Sequence, residues 1–168
     1  GNKLAALATL IGDLLKGLIP VVVARALDAS ELVIALTALA AFIGHIFPVF
    51  FQFKGGKGVA TALGVLLGLS PWLGLGTLAV WLAMAFGLRY SSLAALTAAL
   101  AAPLVAWLLH LGDPVLLAIV IMSVLLIWRH AGNIQRLLQG QETRIGEKKA
   151  AAESPVAQAS PTQTSGDN

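Results

Sequence analysis

Two lysines and three glycines stand together in a short run between two apolar stretches, Lys54–Gly58. Glycines allow backbone amides to converge, the start of a following helix adds free N–H groups, and the lysines supply positive charge. Such a loop can hold a phosphate group, although the spacing of a Walker A loop is absent. The same residues also fit a basic loop that only follows the charge rule for membrane topology. From the residues alone, both interpretations stay open.

A second polar group, Arg129 to Arg136, follows the last apolar stretch. On one continuous helix, Arg129, Asn133 and Arg136 would form a single stripe, with His130 three residues before Asn133. Guanidinium, amide and imidazole groups suit the binding of an oxyanion, and histidine can move a proton near neutral pH. An interfacial helix whose arginines contact lipid headgroups is the alternative. Because Asn133 is harder to explain as a lipid contact, we favour a functional site.

Asp13 and Lys16 are three residues apart in an otherwise apolar stretch and share a helix face. Ionisable groups at membrane depth are costly and usually face a partner or a wet cavity. We slightly favour a structural ion pair over direct contact with a substrate. Of the lesser candidates, His45 is expected to be a packed, hydrogen-bonded histidine. Arg89 closes a turn after which Ser92 is expected to be the N-cap of the next helix.

The composition predicts the kind of fold that must position these side chains. The 168 residues are 58% hydrophobic and 11% charged, with a mean hydropathy of +0.86, whereas a soluble domain has about 25% charged residues. Lipid is therefore the natural solvent, and we predict an all-α, polytopic transmembrane helix bundle. The absence of cysteine excludes disulfides and thiol nucleophiles, and no cluster resembles a metal site. Because Gly1 opens directly into an apolar stretch without a methionine, we expect a longer protein upstream.

Five apolar stretches are bounded by charge, glycine or proline: Leu4–Leu27, Leu32–Phe53, Val59–Leu88, Leu93–Leu109 and Val115–Trp128. The third is too long for one crossing and is interrupted at Ser70-Pro71, where Pro71 suits a first helical turn and Ser70 its N-cap. We predict a half-helix over Val59–Leu69, about 17 Å long, followed by a helix over Trp72–Leu88. The bundle then has about six helical segments.

Charge supports six crossings over the alternative with one long third helix. With a break at Ser70-Pro71, one face of the membrane holds most of the bases: Lys3, Lys54, Lys57, Arg89, Arg129, Arg136, Arg144, Lys148 and Lys149. The opposite loops hold one base and three acids, Arg25 against Asp28, Glu31 and Asp113. The positive-inside rule assigns the basic face to the cytoplasm. We expect residues 1–140 to form the membrane domain and residues 141–168 a polar, largely disordered cytoplasmic tail.

In this order, the motifs resemble those of the membrane-bound acyl-phosphate:glycerol-3-phosphate acyltransferase family of bacterial phospholipid synthesis. The likeness runs from about Gly1 to Lys149, and the lysine-glycine block together with the His-x-x-Asn-Ile block makes it specific. The motifs that carry it are Asp13–Gly17, Gly44–Pro48, Phe53–Thr61, Tyr90–Leu93, Arg129–Leu137 and Gly140–Glu142.

The resemblance implies transfer of an acyl group from acyl phosphate to the 1-hydroxyl of glycerol 3-phosphate, giving lysophosphatidate and phosphate. It implies a multi-pass protein of the bacterial inner (plasma) membrane that uses no cofactor, no metal and no nucleic acid, and whose partners are the two substrates and the lipid bilayer. His130 and Asn133 would act near the reacting centre, and the loop of Lys54, Gly55, Gly56, Lys57 and Gly58 would hold the glycerol phosphate. Supporting positions would be Asp13, Lys16, His45, Arg89, Ser92, Arg129, Arg136 and Glu142, the last in a structural role.

No activated nucleophile is evident, so we expect no covalent intermediate. The proton acceptor is either His130 or the leaving phosphate of the substrate. Two departures from the family pattern stand out. The family's upstream helix with its Ser-Gly-Asn-Pro-Gly-type loop does not precede Asp13, and Ala131-Gly132 replaces the usual basic and acidic pair.

Two other classes of protein compete with this interpretation. A transporter or binding module with an anion site among broken helices also uses glycine loops and half-helix ends. The other is a non-catalytic assembly subunit.

Overall fold

Seven helices make up the described part of the chain, residues 2–48 and 55–147 of a computed structural model, and no strand occurs in those residues. Their bounds are α1 Lys3–Ala26, α2 Glu31–Ile46, α3 Val59–Leu69, α4 Pro71–Leu88, α5 Ser91–Leu108, α6 Asp113–Arg129 and α7 Ala131–Leu138. Helices α1, α4 and α5 are each long and apolar enough to cross a membrane, and α6 with α7 forms a bent fourth candidate. The predicted all-α membrane bundle is confirmed, with α7 as an additional short helix.

The predicted break in the third apolar stretch is present at Ser70. This residue is extended, with φ −157° and ψ 129°, and Pro71 opens α4 at its first position. The last carbonyls of α3 find a partner in another helix, since the Arg25 guanidinium of α1 donates to the oxygens of Gly68 at 2.9 Å and Leu69 at 3.0 Å. An unpaired carbonyl in lipid is costly, so this contact allows a half-helix to end inside the bundle.

Helix α1 packs closely against α3 through two glycines. A Cβ atom at Gly17 would collide with the carbonyl of Thr61, and one at Gly64 would collide with the carbonyl of Leu14. Small residues at a helix interface let two backbones approach each other, which is how membrane helices gain contact when lipid offers no hydrophobic driving force. This close contact fixes the position of α3, and the first turn of α3 forms part of the wall of the cavity described below.

Helix α2 is shorter than the apolar stretch Leu32–Phe53. It ends at Ile46, and Phe47 has φ −122° and ψ 64°. The reason is local, because Pro48 disfavours helical geometry in the residue before it. Residues 49–54, including the predicted phosphate-loop residue Lys54, lie outside the described residues.

The polar loops gather at two opposite ends of the bundle. At one end Arg129 donates to the carbonyl of Gly55, and the segment after α7 bonds to the turn between α4 and α5. At the other end Arg25 closes α3, and Glu31 lies against Gly112. The basic residues Lys57, Arg89, Arg129, Arg136 and Arg144 therefore lie toward one end, as the charge pattern predicts.

Candidate active site

A cavity of about 540 Å³ lies between α3, α4, α5 and α6, with Leu10 and Leu14 of α1 at its edge. Most of its wall is apolar, and α5 contributes small side chains that leave room there: Ala95, Ala98, Ala99 and Ala102. At one end the wall becomes polar, and that end is formed by Lys57, Ser91, Ser92, His130, Asn133 and Glu142. We call this end the polar mouth and the remainder the apolar slot. The shape suits a ligand with an anionic head and a hydrocarbon chain.

The glycine loop forms one side of the polar mouth. Gly58 has φ 82°, a left-handed conformation that favours glycine, and is the N-cap of α3. A Cβ atom at Gly55 would collide with the carbonyls of His45 and Ile46, so this backbone packs directly on the end of α2. Lys57 lines the cavity beside the first turn of α3. The free N–H groups and positive dipole end of that turn add to its charge.

Arg129 holds the glycine loop in place. Its Nη2 donates to the Gly55 carbonyl at 2.7 Å and to the Gly56 carbonyl at 3.2 Å. Backbone oxygens therefore occupy Nη2 of the guanidinium, Nε is buried without a hydrogen-bond partner in the described residues, and Arg129 does not line the cavity. It supports the loop and does not present its charge to the space between the helices.

The predicted stripe of Arg129, Asn133 and Arg136 on one helix is wrong. The helix axis bends by 58° between α6 and α7, at His130. Helix α6 is apolar along its length whereas α7 has a polar face, so the bend allows α7 to lie along an interface. Arg129 then points toward the glycine loop, while Asn133 and Arg136 contact Glu142.

Glu142 organises the opposite side of the mouth. Its Oε1 accepts from Asn133 Nδ2 at 2.6 Å, and its Oε2 accepts from Arg136 Nε at 2.8 Å. Burial acts to raise the pKa of the Glu142 carboxyl, but the nearby Ser92 hydroxyl, the hydrogen bonds from Asn133 and Arg136 and the charge of Arg136 outweigh it, so the pKa lies below its usual range. The carboxylate is ionised near neutral pH and fixes the Asn133 amide.

Ser92 is not the predicted N-cap. Tyr90 occupies that position, α5 begins at Ser91, and Ser92 is buried one residue further on. Its Oγ has no partner with good hydrogen-bond geometry in the described residues, yet it lies close enough to Glu142 to help lower that pKa. The hydroxyl faces the polar mouth, where a bound ligand could accept its hydrogen bond.

His130 is buried at the junction of α6 and α7 and lines the cavity. Its Nδ1 lies 2.8 Å from the carbonyl oxygen of Leu126. A carbonyl oxygen can only accept, so the neutral ring carries its hydrogen on Nδ1 and keeps a lone pair on Nε2. The imidazole is thus oriented by the helix and has one nitrogen able to accept a proton.

Asp13, Lys16 and His45 lie on the other side of the glycine loop. Lys16 Nζ is 2.7 Å from Asp13 Oδ1, and His45 Nδ1 is 3.6 Å from the same oxygen. A second cavity of about 360 Å³ is lined by Lys16 and His45 together with the glycine loop. The predicted ion pair is present, and none of these three residues lines the first cavity.

Arg89 also lies away from the cavity wall. Its Nε and Nη2 donate to the Ile145 carbonyl at 3.2 Å and 2.8 Å, and its own carbonyl accepts from the Ile145 backbone N–H. Arg144 adds a hydrogen bond to the Tyr90 hydroxyl at 3.0 Å. These contacts hold the segment after α7, which carries Glu142, over the mouth.

Sequence reasoning missed three polar residues in the apolar slot: Thr77, Trp81 and Ser123. Thr77 and Trp81 are four residues apart on α4, and this spacing within an apolar stretch was the available signal. Within residues 2–48 and 55–147, no group of three or more histidine, aspartate or glutamate side chains could hold a metal ion.

Comparison with known proteins identifies the family. A family model described as glycerol-3-phosphate acyltransferase matches residues 1–140. The glycerol-3-phosphate acyltransferase of Burkholderia lata is 57% identical over 154 residues, covering 90% of this chain and 73% of the relative. That of Burkholderia multivorans is 56% identical over 160 residues, covering 94% of this chain and 76% of the relative.

Two solved structures are similar over most of the chain. Both are crystal structures of PlsY (YgiH), an integral membrane glycerol 3-phosphate acyltransferase, one in its lysophosphatidic acid form and one in its glycerol 3-phosphate form. Each has a TM-score of 0.82 and 42% sequence identity over 86% of this chain, covering 74% and 72% of the respective PlsY chains. This chain therefore belongs to the glycerol-3-phosphate acyltransferase family of integral membrane enzymes.

Proposed function

We propose that the cavity is where this chain transfers an acyl group from an acyl phosphate to glycerol 3-phosphate, producing lysophosphatidate and phosphate. Acylation of glycerol 3-phosphate in phospholipid synthesis is the activity of its family. The observation that carries the proposal is the continuity of the polar mouth with the apolar slot. One substrate has only a polar phosphate end, and the other joins a phosphate to a hydrocarbon chain. The transporter or binding-module alternative is not favoured by the family match.

The polar mouth supplies positive charge and hydrogen-bond donors for both substrates. Lys57 and the free N–H groups at the start of α3 suit a phosphate group. Asn133 has two amide hydrogens, and only one is needed for Glu142, so the other can donate to an oxygen of the substrate. Because Glu142 fixes this amide in advance, it can stabilise negative charge without reorganising.

The reaction needs few protein groups because an acyl phosphate is already activated. The hydroxyl oxygen of glycerol 3-phosphate attacks the carbonyl carbon and forms a new C–O bond. The C–O bond to the phosphate then breaks, and phosphate leaves with the electron pair. Positioning of the hydroxyl and stabilisation of the developing oxyanion are the main contributions of the site.

The hydroxyl proton has two available acceptors, the leaving phosphate and His130. Nε2 of His130 carries a lone pair because Nδ1 bonds to the Leu126 carbonyl. A histidine base contributes about 10²- to 10⁴-fold to a rate. The size of the loss on substitution therefore distinguishes the two acceptors.

We also propose an orientation and a location. The polar mouth and the segment after α7 face the cytoplasm, and the protein spans the bacterial plasma membrane. The support is the bias of basic residues toward that end of the bundle, which the positive-inside rule assigns to the cytoplasmic side. Glycerol 3-phosphate, a soluble anion, would then enter from the cytoplasm.

The proposed function is tested with purified protein, labelled glycerol 3-phosphate and palmitoyl phosphate. Lysophosphatidate and phosphate should form in equal amounts. Asn133→Ala should lower kcat by about 10² or more, and His130→Ala should do the same where the imidazole takes the proton but lower kcat less where the leaving phosphate takes it. Gln139→Ala, which removes an exposed amide after α7, should keep wild-type activity. Movement of phosphate across vesicles without any lysophosphatidate would instead support a transporter. In cells, growth and lysophosphatidate formation that stay unchanged in Asn133→Ala and Lys57→Ala would support a non-catalytic subunit.

A further inference from the structure

Three polar side chains line the apolar slot away from the polar mouth. Thr77 and Trp81 lie on α4, one helical turn apart, and Ser123 lies on α6. Thr77 is only 6% exposed. Its Oγ1 and the Nε1 of Trp81 are buried and have no hydrogen-bond partner in the described residues. We refer to Thr77, Trp81 and Ser123 as the polar collar.

The polar collar is too deep to take part in the chemistry at the mouth. Trp81 and Thr77 precede Arg89 by eight and twelve residues, or about 12 and 18 Å along the helix. Ser123 precedes Arg129 by six residues, or about 9 Å. His130, Asn133 and Glu142 are all at the mouth. The collar therefore contacts the part of a bound ligand that fills the apolar slot, and it does not contact the phosphate groups.

A hydrocarbon chain cannot satisfy these donors. A buried hydroxyl or indole N–H without an acceptor carries the full cost of its lost hydration, whereas an apolar residue of the same shape carries none. A chain that ends before the collar leaves space in which a small polar molecule can bond to these groups. A hydrocarbon chain that reaches the depth of the collar places methylene groups against these donors and excludes any polar partner.

We propose that the polar collar sets the length of acyl chain that the site accepts. This inference rests on the proposed function, since it takes the occupant of the slot to be the acyl chain of the substrate. Methylene groups nearer the mouth than the collar gain contact with the apolar wall at no cost. Those that reach its depth gain similar contact with Ala98, Ala99 and Ala102 of α5 but leave the donors of Thr77 and Trp81 unpaired. The enzyme thereby discriminates against chains that cross the collar.

The test measures kcat/KM for a series of saturated acyl phosphates from decanoyl to stearoyl. In Thr77→Val and Trp81→Phe, the ratio of long-chain to short-chain kcat/KM should rise about tenfold for each donor removed. Thr77→Ser keeps the hydroxyl and should retain the wild-type profile. Thr97→Val is a matched control, because Thr97 donates to the Leu93 carbonyl and does not line the cavity. The KM for glycerol 3-phosphate should not change in any of these variants.

The outcomes separate this inference from the proposed function. An unchanged chain-length profile in folded Thr77→Val and Trp81→Phe, or an equal loss at every chain length, would overturn the collar proposal alone. A wild-type protein that uses no acyl phosphate of any length would overturn the proposed function instead. If Thr77→Val does not fold, Trp81→Phe provides the same measurement from the second unpaired donor.

Discussion

Glu142 connects the groups at the polar mouth although it follows the last helix. Its carboxylate lies between the Asn133 amide and the Arg136 guanidinium, and Ser92 lies nearby. Removing the charge would weaken the hydrogen bond from Asn133 and leave Arg136 without its ionic partner. A donor that loses its acceptor is costly, and the effect should appear in both stability and catalysis.

Glu142→Gln should lower stability in a pH-dependent way. The folded-state pKa of Glu142 lies below its usual value, so its contribution is present above the unfolded-state pKa of about 4.3 and is lost as pH falls through the folded-state pKa. The thermal unfolding temperature in detergent should therefore be lower in the variant at pH 7, and the two proteins should converge toward acid pH. Glu147→Gln, at an exposed position, serves as the control. A gap that stays constant with pH would contradict this role.

The sequence indicated which residues lie near the site better than it indicated what each of them contacts. Lys57, His130 and Asn133, which the motifs single out, line the cavity. The role of Ser92 was not predictable, because it depends on contact with Glu142, fifty residues later in the chain. Arg129 is similar, since the carbonyls it holds belong to a loop more than seventy residues earlier. Spacing along a helix cannot reveal such long-range partners.

At the level of the helices, the contact of α1 with α3 positions the first turn of α3 at the polar mouth. Gly17 and Gly64 place one backbone against the other. A methyl group at either position must push the helices apart, because the atoms it meets are backbone carbonyls and cannot rotate away. The shift would reach Lys57 and the glycine loop, which directly precede α3.

Gly17→Ala should destabilise the protein by about 1–3 kcal/mol, the usual effect of overpacking. Gly12→Ala on the same helix is the matched control, since a Cβ there meets no atom within 4 Å, and alanine favours a helix by about 0.5–1 kcal/mol over glycine. Thermal unfolding in detergent measures both variants. If the two substitutions changed the unfolding temperature equally, close packing of α1 on α3 would not be what Gly17 provides.

The break at Ser70 was predictable and the bend at His130 was not. Pro71 encodes the first locally, through its missing N–H and fixed φ. No proline marks the second. The bend combines a change from apolar to amphipathic sequence with the contacts of Arg129 and Asn133 to separate parts of the chain. Local chemistry predicts where a helix must stop, whereas tertiary contacts decide where it turns.

For the molecule as a whole, the charge pattern yields a direct test of orientation. The chain contains no cysteine, so single cysteines can be introduced without a background. Ser30→Cys lies at the end of the bundle near Arg25, and its native side chain makes no capping bond. Gln139→Cys lies near the polar mouth, just after α7.

In intact cells, a membrane-impermeant maleimide should label Ser30→Cys and leave Gln139→Cys unmodified. Both should be labelled after the membrane is permeabilised, which controls for accessibility of each thiol. The expectation follows from the excess of basic residues at the mouth end, which should remain cytoplasmic. The reverse pattern of labelling would place the mouth outside the cell and reject the proposed orientation.

The bond from Arg25 to the end of α3 has a consequence for how the protein is assembled during synthesis. Helix α3 is about 17 Å long, and its last carbonyls would be exposed to lipid if it entered the bilayer alone. Arg25 belongs to α1, which leaves the ribosome earlier, so the group that completes α3 is already in the membrane when α3 arrives. The half-helix can therefore insert as a partner of α1, and the order of translation becomes part of the folding pathway.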